Sequence, residues 1–400
     1  MLVMRQFSWQ VAIAVALFSL GKAAEESDNL EKYNVTAPGI TASYIAYGAR
    51  LTNLYVDDKH GVTQDVVLGY DQGSAYVNDT ENEHTYFGAV IGRYAGRLKN
   101  GTFSLDGQTT HVTENENDGH DSLHGGTVGY DQRNWTLVSH NQTTITFMLE
   151  DDGFEGYPGR VVNYATFSVA HANATADGPS LTSRLVSIPL DEPTPIMLTT
   201  HPYFNLNAFV DPARPDVLDH TLHMPYSQRY VDIDNIEVAT GQLGVVSGPG
   251  GDKLLDFTSP ATFRRSIDAN VQECGFNCTG IDTNFIIDRP RTAGDESTAL
   301  SVLSLSSNIT GIKFDLYTNQ QALIVYTCNK LTGSIPLKQS QQHSPNGSTV
   351  SAMEHGCVAI ETQGWIDGVN HPEWGQQEYQ IYAPDTQPAV MWVKYVFGLV

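Results

Sequence analysis

From about Ile40 onward the chain reads as strand after strand. Ser43 to Tyr47 (SYIAY) and Arg50 to Val56 (RLTNLYV) are short apolar runs of strand length. Thr144 to Leu149 (TITFML) and Ala322 to Thr327 (ALIVYT) are rich in β-branched and aromatic residues, which suit a pleated, half-buried surface. Turn signals separate these runs at Asp106-Gly107, Asp152-Gly153, Ala176-Asp177-Gly178 and Ser247 to Gly251. No segment carries a sustained helical period, and no shift in composition marks a linker. The pattern predicts an all-β chain built as one large single-domain antiparallel β-sandwich.

Both ends of the polarity range carry information. Arg5 precedes the apolar run Val11 to Leu20, and the small residues Gly21-Lys22-Ala23-Ala24 follow it. A basic start, a short apolar stretch and small residues form the pattern of a signal peptide, here residues 1–24. The run is shorter than the ~20 apolar residues that span a bilayer. Residues 25–39 read as a polar N-terminal segment and residues 40–400 as the sandwich domain. The most polar stretch, Lys338 to Glu354, reads as a flexible surface loop. The run Gly248 to Lys253 has the glycines of a phosphate loop but not its GK[ST] ending, and reads as a turn.

Charge narrows the partners. The chain of 400 residues has 45 acidic and 22 basic side chains, a formal charge of −23. Such a field repels nucleic acid and anionic lipid but not a neutral sugar. Nine Asn-x-Ser/Thr sequons, at Asn34, Asn78, Asn100, Asn134, Asn141, Asn173, Asn277, Asn308 and Asn346, fit a secreted glycoprotein with no membrane association once the signal is removed. A soluble monomer is the expected state. Of the four cysteines, Cys274 and Cys278 are close enough to close a small loop, whereas Cys328 and Cys357 fit either a bridge or buried free thiols. The paired CxxC spacing of a zinc site is absent.

Four segments set ionisable and glycine residues in apolar surroundings: Phe87 to Arg97 (FGAVIGRYAGR) with Ser122 to Gly126 (SLHGG), Thr200 to Leu206 (THPYFNL), Gly280 to Phe285 (GIDTNF), and Ala359 to Trp365 (AIETQGW). Taken in this order they resemble the aldose 1-epimerase (galactose mutarotase) family from about residue 40 to the C-terminus. The resemblance implies a β-sandwich that binds a hexose in an open cleft, with no metal and no organic cofactor.

Anomer interconversion has simple chemical needs. A base takes the proton of the C1 hydroxyl, and an acid protonates the ring oxygen as the C1–O5 bond breaks. Rotation about C1–C2 and closure with the roles reversed give the other anomer. One carboxylate and one imidazole, on opposite sides of the sugar, suffice. Glu361 follows an apolar strand that partly removes it from water, and the ETQ motif makes it the base by resemblance. His201, held extended by Pro202, matches the family's catalytic histidine and is assigned as the acid. By the same resemblance His124 contacts the sugar near its ring oxygen, Arg97 and Asp282 bind hydroxyls, and Gln320 is a substrate-contacting glutamine. Arg97 is preferred to Arg93 because it closes the motif.

Two positions depart from the family pattern. Gly96 stands where many members have asparagine, and Thr283 where histidine is common; both bear on which sugar is preferred. Trp365 has the character of a residue that packs on a sugar face or in the core. His220 and His223, three apart in strand-like sequence, point to opposite faces and make no metal pair. Two other readings use the same residues: a glycoside hydrolase with Asp282 and Glu361 as its carboxylates, and a non-catalytic sugar-binding sandwich.

Overall fold

A computed structural model describes residues 28–171, 178–290, 299–344 and 346–400. The expected signal peptide, residues 1–24, and the sequon asparagine Asn173 lie outside the described residues. A nine-stranded sheet runs from Thr136–His140 through Thr144–Asp152, Arg160–His171, Pro179–Pro189, Ala389–Leu399, Ile312–Thr318, Leu303–Ser306 and Thr221–His223 to Ala261–Thr262. A second sheet of seven strands has the order Tyr203–Phe204, Val358–Gln363, Ala322–Tyr326, Gly280–Ile286, Arg229–Ile233 and Ala239–Val245. Gln272–Glu273 joins it in parallel alongside Gly280–Ile286. Every other pairing in the two sheets is antiparallel. A four-stranded sheet, Tyr33–Ala37 to Thr63–Asp65, packs its apolar residues into the same core.

The sandwich follows from side-chain alternation. Arg160–His171 and Ala389–Leu399 alternate buried and less buried residues along nearly their whole length, as strands with one face on a core must. Phe147, Phe167, Leu185, Phe314 and Tyr395 of the nine-stranded sheet share a single apolar cluster with Phe285, Val325, Val358 and Ile360 of the seven-stranded one. In the seven-stranded sheet the strand Val358–Gln363 is covered on both faces, with all six residues buried. Its inner face carries Val358 and Ile360 into the core, so its outer face carries Glu361.

Several expectations are corrected here. Tyr33–Ala37 is a strand paired with Ile40–Ile45, so the sheet begins inside the segment read as a polar lead. The described residues include a ten-residue α-helix, Gly73–Asn82. It buries only Tyr76 and Asp79, one residue per turn, too narrow a stripe to register as an amphipathic period. Cys274 is bonded to Cys278 and Cys328 to Cys357, so the latter two are not free thiols. The second bridge ties the end of the Ala322–Tyr326 strand to the start of the Val358–Gln363 strand.

The stretch from Lys338 is not simply a surface loop. Lys338 Nζ lies 2.8 Å from Asp65 Oδ2 with both side chains fully buried, and it donates to the Thr52 carbonyl at 2.7 Å. Asp65 also accepts from Asn53, Ser340 and the Leu54 backbone. Gln341 donates to the carbonyls of Asp65 and Val67. Polar residues are buried here because each finds a charged or backbone partner, a pattern that hydropathy cannot register. Lys338→Met leaves the Asp65 carboxylate buried without its cation, and a loss of about 3–5 kcal/mol is expected in chemical denaturation. A loss under about 1 kcal/mol contradicts the buried-pair assignment.

Candidate active site

The outer face of the seven-stranded sheet is the floor of a cleft of about 340 Å³. Register decides which side chains stand on it. Ile324 pairs with both Glu361 and Asn284, and Tyr326 pairs with both Ala359 and Asp282. Asp282, Asn284, Ile324, Tyr326 and Glu361 therefore share one face and line the cleft, while Ile281, Phe285, Leu323 and Val325 enter the core. Thr283 lies between Asp282 and Asn284 and is turned to the other face, so its departure from the family pattern does not bear on the sugar.

His201 closes one end of this floor. Thr199–Thr200 pairs with Val90–Ile91, and the His201 backbone continues the pairing with Gly88 and Ala89. Its ring lies between Tyr203, stacked at 4.7 Å and 16°, and Tyr86, near-parallel at 6.0 Å. Its Nε2 is 3.1 Å from Glu361 Oε1, with both side chains almost wholly buried. Nδ1 of His201 and Oε2 of Glu361 are buried with no partner among the described residues. Sequence reasoning set acid and base on opposite sides of the sugar; the structure sets them side by side. The anomeric and ring oxygens are both bonded to C1, so one edge of the sugar brings both to the pair.

His124 completes the group. It has φ +54°, and the chain turns tightly after it: a Cβ on Gly125 (φ +94°) would stand 2.1 Å from the Gly92 carbonyl oxygen. The Gly96 N–H donates to His124 Nδ1 at 3.1 Å. That bond leaves the proton of the neutral ring on Nε2. Burial, then the charges of His201 and Arg97, hold the His124 pKa well below the ordinary histidine value, so the ring is a neutral donor. The ligating atoms of His124, His201 and Glu361 all lie within 4.8 Å of one another, the one set among the described residues with the spacing of a metal site. Only Nε2 of His124 is open to such an ion, since Nδ1 is engaged.

Arg97 stands on the other wall. Its Nε and Nη2 donate to Glu116 at 2.6 and 2.9 Å, and Nη2 also bonds Glu237. Burial opposes its charge, but Glu237 and Glu116 outweigh it and hold the guanidinium protonated beyond its ordinary range. Lys330 adds a 3.0 Å contact to Glu237. Burial, followed by the charge of Glu237, pushes the Asp282 carboxyl up to about 8 against the pull of Arg97 and Lys330. The raised pKa favours the protonated carboxyl of Asp282, which can donate one hydrogen bond and accept others. Arg93 is elsewhere: it is buried against Asp151, the Pro158 carbonyl and Thr194.

The structure brings Glu361, His201, His124, Arg97 and Asp282 into one cleft and leaves Gln320 out. Gln320 lies in the turn after Ile312–Thr318, and its amide donates to Asn319 and the Val390 carbonyl. The turn falls at the far end of the Ala322–Tyr326 strand from Tyr326, which corrects the substrate-contact reading. Trp365 packs with Trp374 and Arg229, not on the cleft. Gly96 has no room for a side chain, since a Cβ there would meet Ile366 Cγ2 at 2.8 Å. His220 is a core residue whose Nε2 accepts from the Leu206 backbone, and burial takes its pKa down to about 3.

Other lining residues escaped the sequence reading. Asn284 was within reach, because strand alternation repeats every second residue from Asp282. Tyr86 and His84 come from the turn after the unforeseen helix, where Asp79 accepts from Thr85 and Tyr70 and His84 meets Asp131 at 2.9 Å. Glu237 and Glu116 carry no local signal; only the tertiary fold brings them to Arg97.

Comparisons with known proteins bear on the family and the fold. Residues 31–381 match the family described as aldose 1-epimerase. A probable aldose 1-epimerase from Arthroderma benhamiae is 46% identical over 386 residues, covering 93% of this chain and 87% of its own length. The galactose mutarotase of Homo sapiens is 29% identical, with 88% and 91% covered. The crystal structure of a GalM/aldose epimerase homologue from C. elegans shares the fold with a TM-score of 0.74 and 24% identity, over 93% of this chain and 99% of that one. On the span of the family match, the chain belongs to the aldose 1-epimerase family.

Proposed function

We propose that the chain interconverts the α and β anomers of a hexose by opening and reclosing the sugar ring, and that Glu361 and His201 move the protons. The observation that carries this reading is the 3.1 Å contact between His201 Nε2 and Glu361 Oε1 on the cleft floor, with the second heteroatom of each unpartnered among the described residues. Ionised Glu361 takes the proton from the C1 hydroxyl. Protonated His201 gives its proton to the ring oxygen as the C1–O5 bond breaks and the C1 aldehyde forms. After rotation about C1–C2, Glu361 returns its proton to the aldehyde oxygen while His201 takes back the proton of the C5 hydroxyl, closing the ring and resetting both groups. Neutral His124 donates from Nε2 to the ring oxygen, where negative charge develops. Arg97 and Asp282 hold the remaining hydroxyls. The flanking tyrosines hold the His201 ring in place.

A secreted setting is part of the same proposal. Two disulfides suit an oxidising compartment. Eight of the nine sequon asparagines are among the described residues, and all eight are exposed, as glycan attachment requires. Expression in a eukaryotic host should deliver the protein to the medium without residues 1–24 and with a mass that falls on glycosidase treatment. Retention inside the cell as a full-length, unmodified chain contradicts the secretion proposal.

Glu361→Gln and His201→Asn are each expected to slow the approach of fresh α-D-glucose or α-D-galactose to its final optical rotation by about 10²–10⁴-fold. Sugar affinity should stay within about threefold in both. A near-wild-type rate in either variant removes that residue from its role. The elevated Asp282 pKa yields a second expectation. The folded carboxyl keeps its proton up to about pH 8, while the unfolded chain loses it near the ordinary value of about 4. The folded state is therefore favoured at low pH, and that advantage is lost as pH rises between the two values. Asp282→Asn removes this loss, so its melting temperature relative to wild type should climb from pH 4 to 8 and then level, while sugar binding weakens. A difference that does not change with pH contradicts the raised pKa.

A further inference from the structure

Apart from the catalytic cleft, a cavity of about 270 Å³ opens where the turn joining Ile312–Thr318 to Ala322–Tyr326 meets the start of Ala389–Leu399 and the segment around Tyr379 and Tyr382. It shares no lining residue with the cleft. None of its lining side chains is Asp, Glu, Lys, Arg or His, although 17% of the chain is charged. An ionic ligand would find no counter-charge in it, so its occupant is neutral.

Two polar side chains of this wall, Asn319 and Gln320, are held by hydrogen bonds. Asn319 Oδ1 accepts from the Trp392 backbone at 2.8 Å and from Gln320 Nε2 at 2.9 Å. Asn319 Nδ2 and Gln320 Nε2 both donate to the Val390 carbonyl, at 2.9 and 3.1 Å. Gln321 Nε2 makes one long bond, 3.5 Å, to the Asn319 carbonyl. The Gln320 amide spends both N–H groups on the protein, whereas Asn319 and Gln321 each keep one N–H. Gln320 and Gln321 also each bring an amide oxygen, an acceptor, to this wall. Amide donors and acceptors on one wall suit a ligand whose groups both donate and accept, as hydroxyls do. Tyr379 and Tyr382 add aromatic surface, with the Tyr382 hydroxyl tied to the Tyr379 carbonyl at 2.9 Å. Neutral, hydroxyl-rich and presenting C–H groups to an aromatic ring is the description of a saccharide.

We propose that this cavity is a second, non-catalytic binding site for a neutral saccharide unit. It stands independently of the anomerisation chemistry. Leu198 and Gln321 line it, three residues along the chain from His201 and from Ile324, the strand partner of Glu361. Two segments therefore lead from one site to the other, and the separate linings allow both to be filled at once.

The test is the number of sugar-binding events on the full secreted chain, read by calorimetry, together with peptide-resolved hydrogen exchange. D-glucose, D-galactose and D-xylose represent free sugars, and maltose and cellobiose represent units of a longer glycan. Two events are expected for at least one probe, with slowed exchange at residues 319–321 and 379–391. Gln321→Leu and Tyr382→Ala should each weaken the second event by about tenfold or more while the rate of anomerisation is unchanged. One event for every probe with no slowed exchange in those segments overturns the proposal, as does a second event that survives both substitutions. Should either variant fail to fold, the exchange pattern of the wild-type protein still decides. If no sugar is anomerised, a second event that maps to these segments still supports the site.

Discussion

A β-strand offers only every second side chain to a given face, and the function of this protein rests on that constraint. The seven-stranded sheet gives one face to the apolar core and must give the other to whatever its remaining residues select. In three adjacent strands those residues are Asp282 and Asn284, Ile324 and Tyr326, and Glu361. Slipping any one strand by a single position would exchange its core residues for its cleft residues, exposing Ile360 and burying Glu361 between the sheets. Catalysis is therefore coupled to the register of the core, and the Cys328–Cys357 bridge lies where two of these strands meet their loops.

Placing ionisable groups on a covered face has an electrostatic cost, and the cleft manages it in three ways. His124 stays neutral, its tautomer set by the Gly96 backbone. Arg97 keeps its charge because Glu116 and Glu237 surround it. Burial, and then the charge of Glu237, raise the Asp282 pKa and favour its protonated form. The negative charge of the chain as a whole thus does not flood the site. A neutral sugar meets a surface of donors and acceptors with one imidazole–carboxylate pair at its centre.

Much of this was legible in the sequence, because the family motifs concentrate chemistry in short segments. Glu361, His201, His124, Arg97 and Asp282 were each named from their motifs, and the fold brings them together. The strand succession was visible from alternation and turn residues alone. What stayed hidden depends on long-range contacts. Glu237 joins Arg97 across 140 residues, and Lys338 is buried only because Asp65, far away in sequence, awaits it. The Gly73–Asn82 helix is too polar for its period to show, and so its contribution of Tyr86 to the cleft was missed. Gln320 was misread because an amide beside an apolar strand looks the same whichever end of the strand the cleft occupies.

The most direct test of proton transfer by the His201–Glu361 pair is magnetisation exchange between the H1 resonances of the two anomers of glucose or galactose at equilibrium. No net reaction occurs there, and only ring opening and closure link the two signals. Adding the protein should raise the exchange rate in both directions by the same factor, leaving the anomer ratio unchanged and no third product. Exchange that stays at its spontaneous rate while the sugar demonstrably occupies the cleft would contradict it.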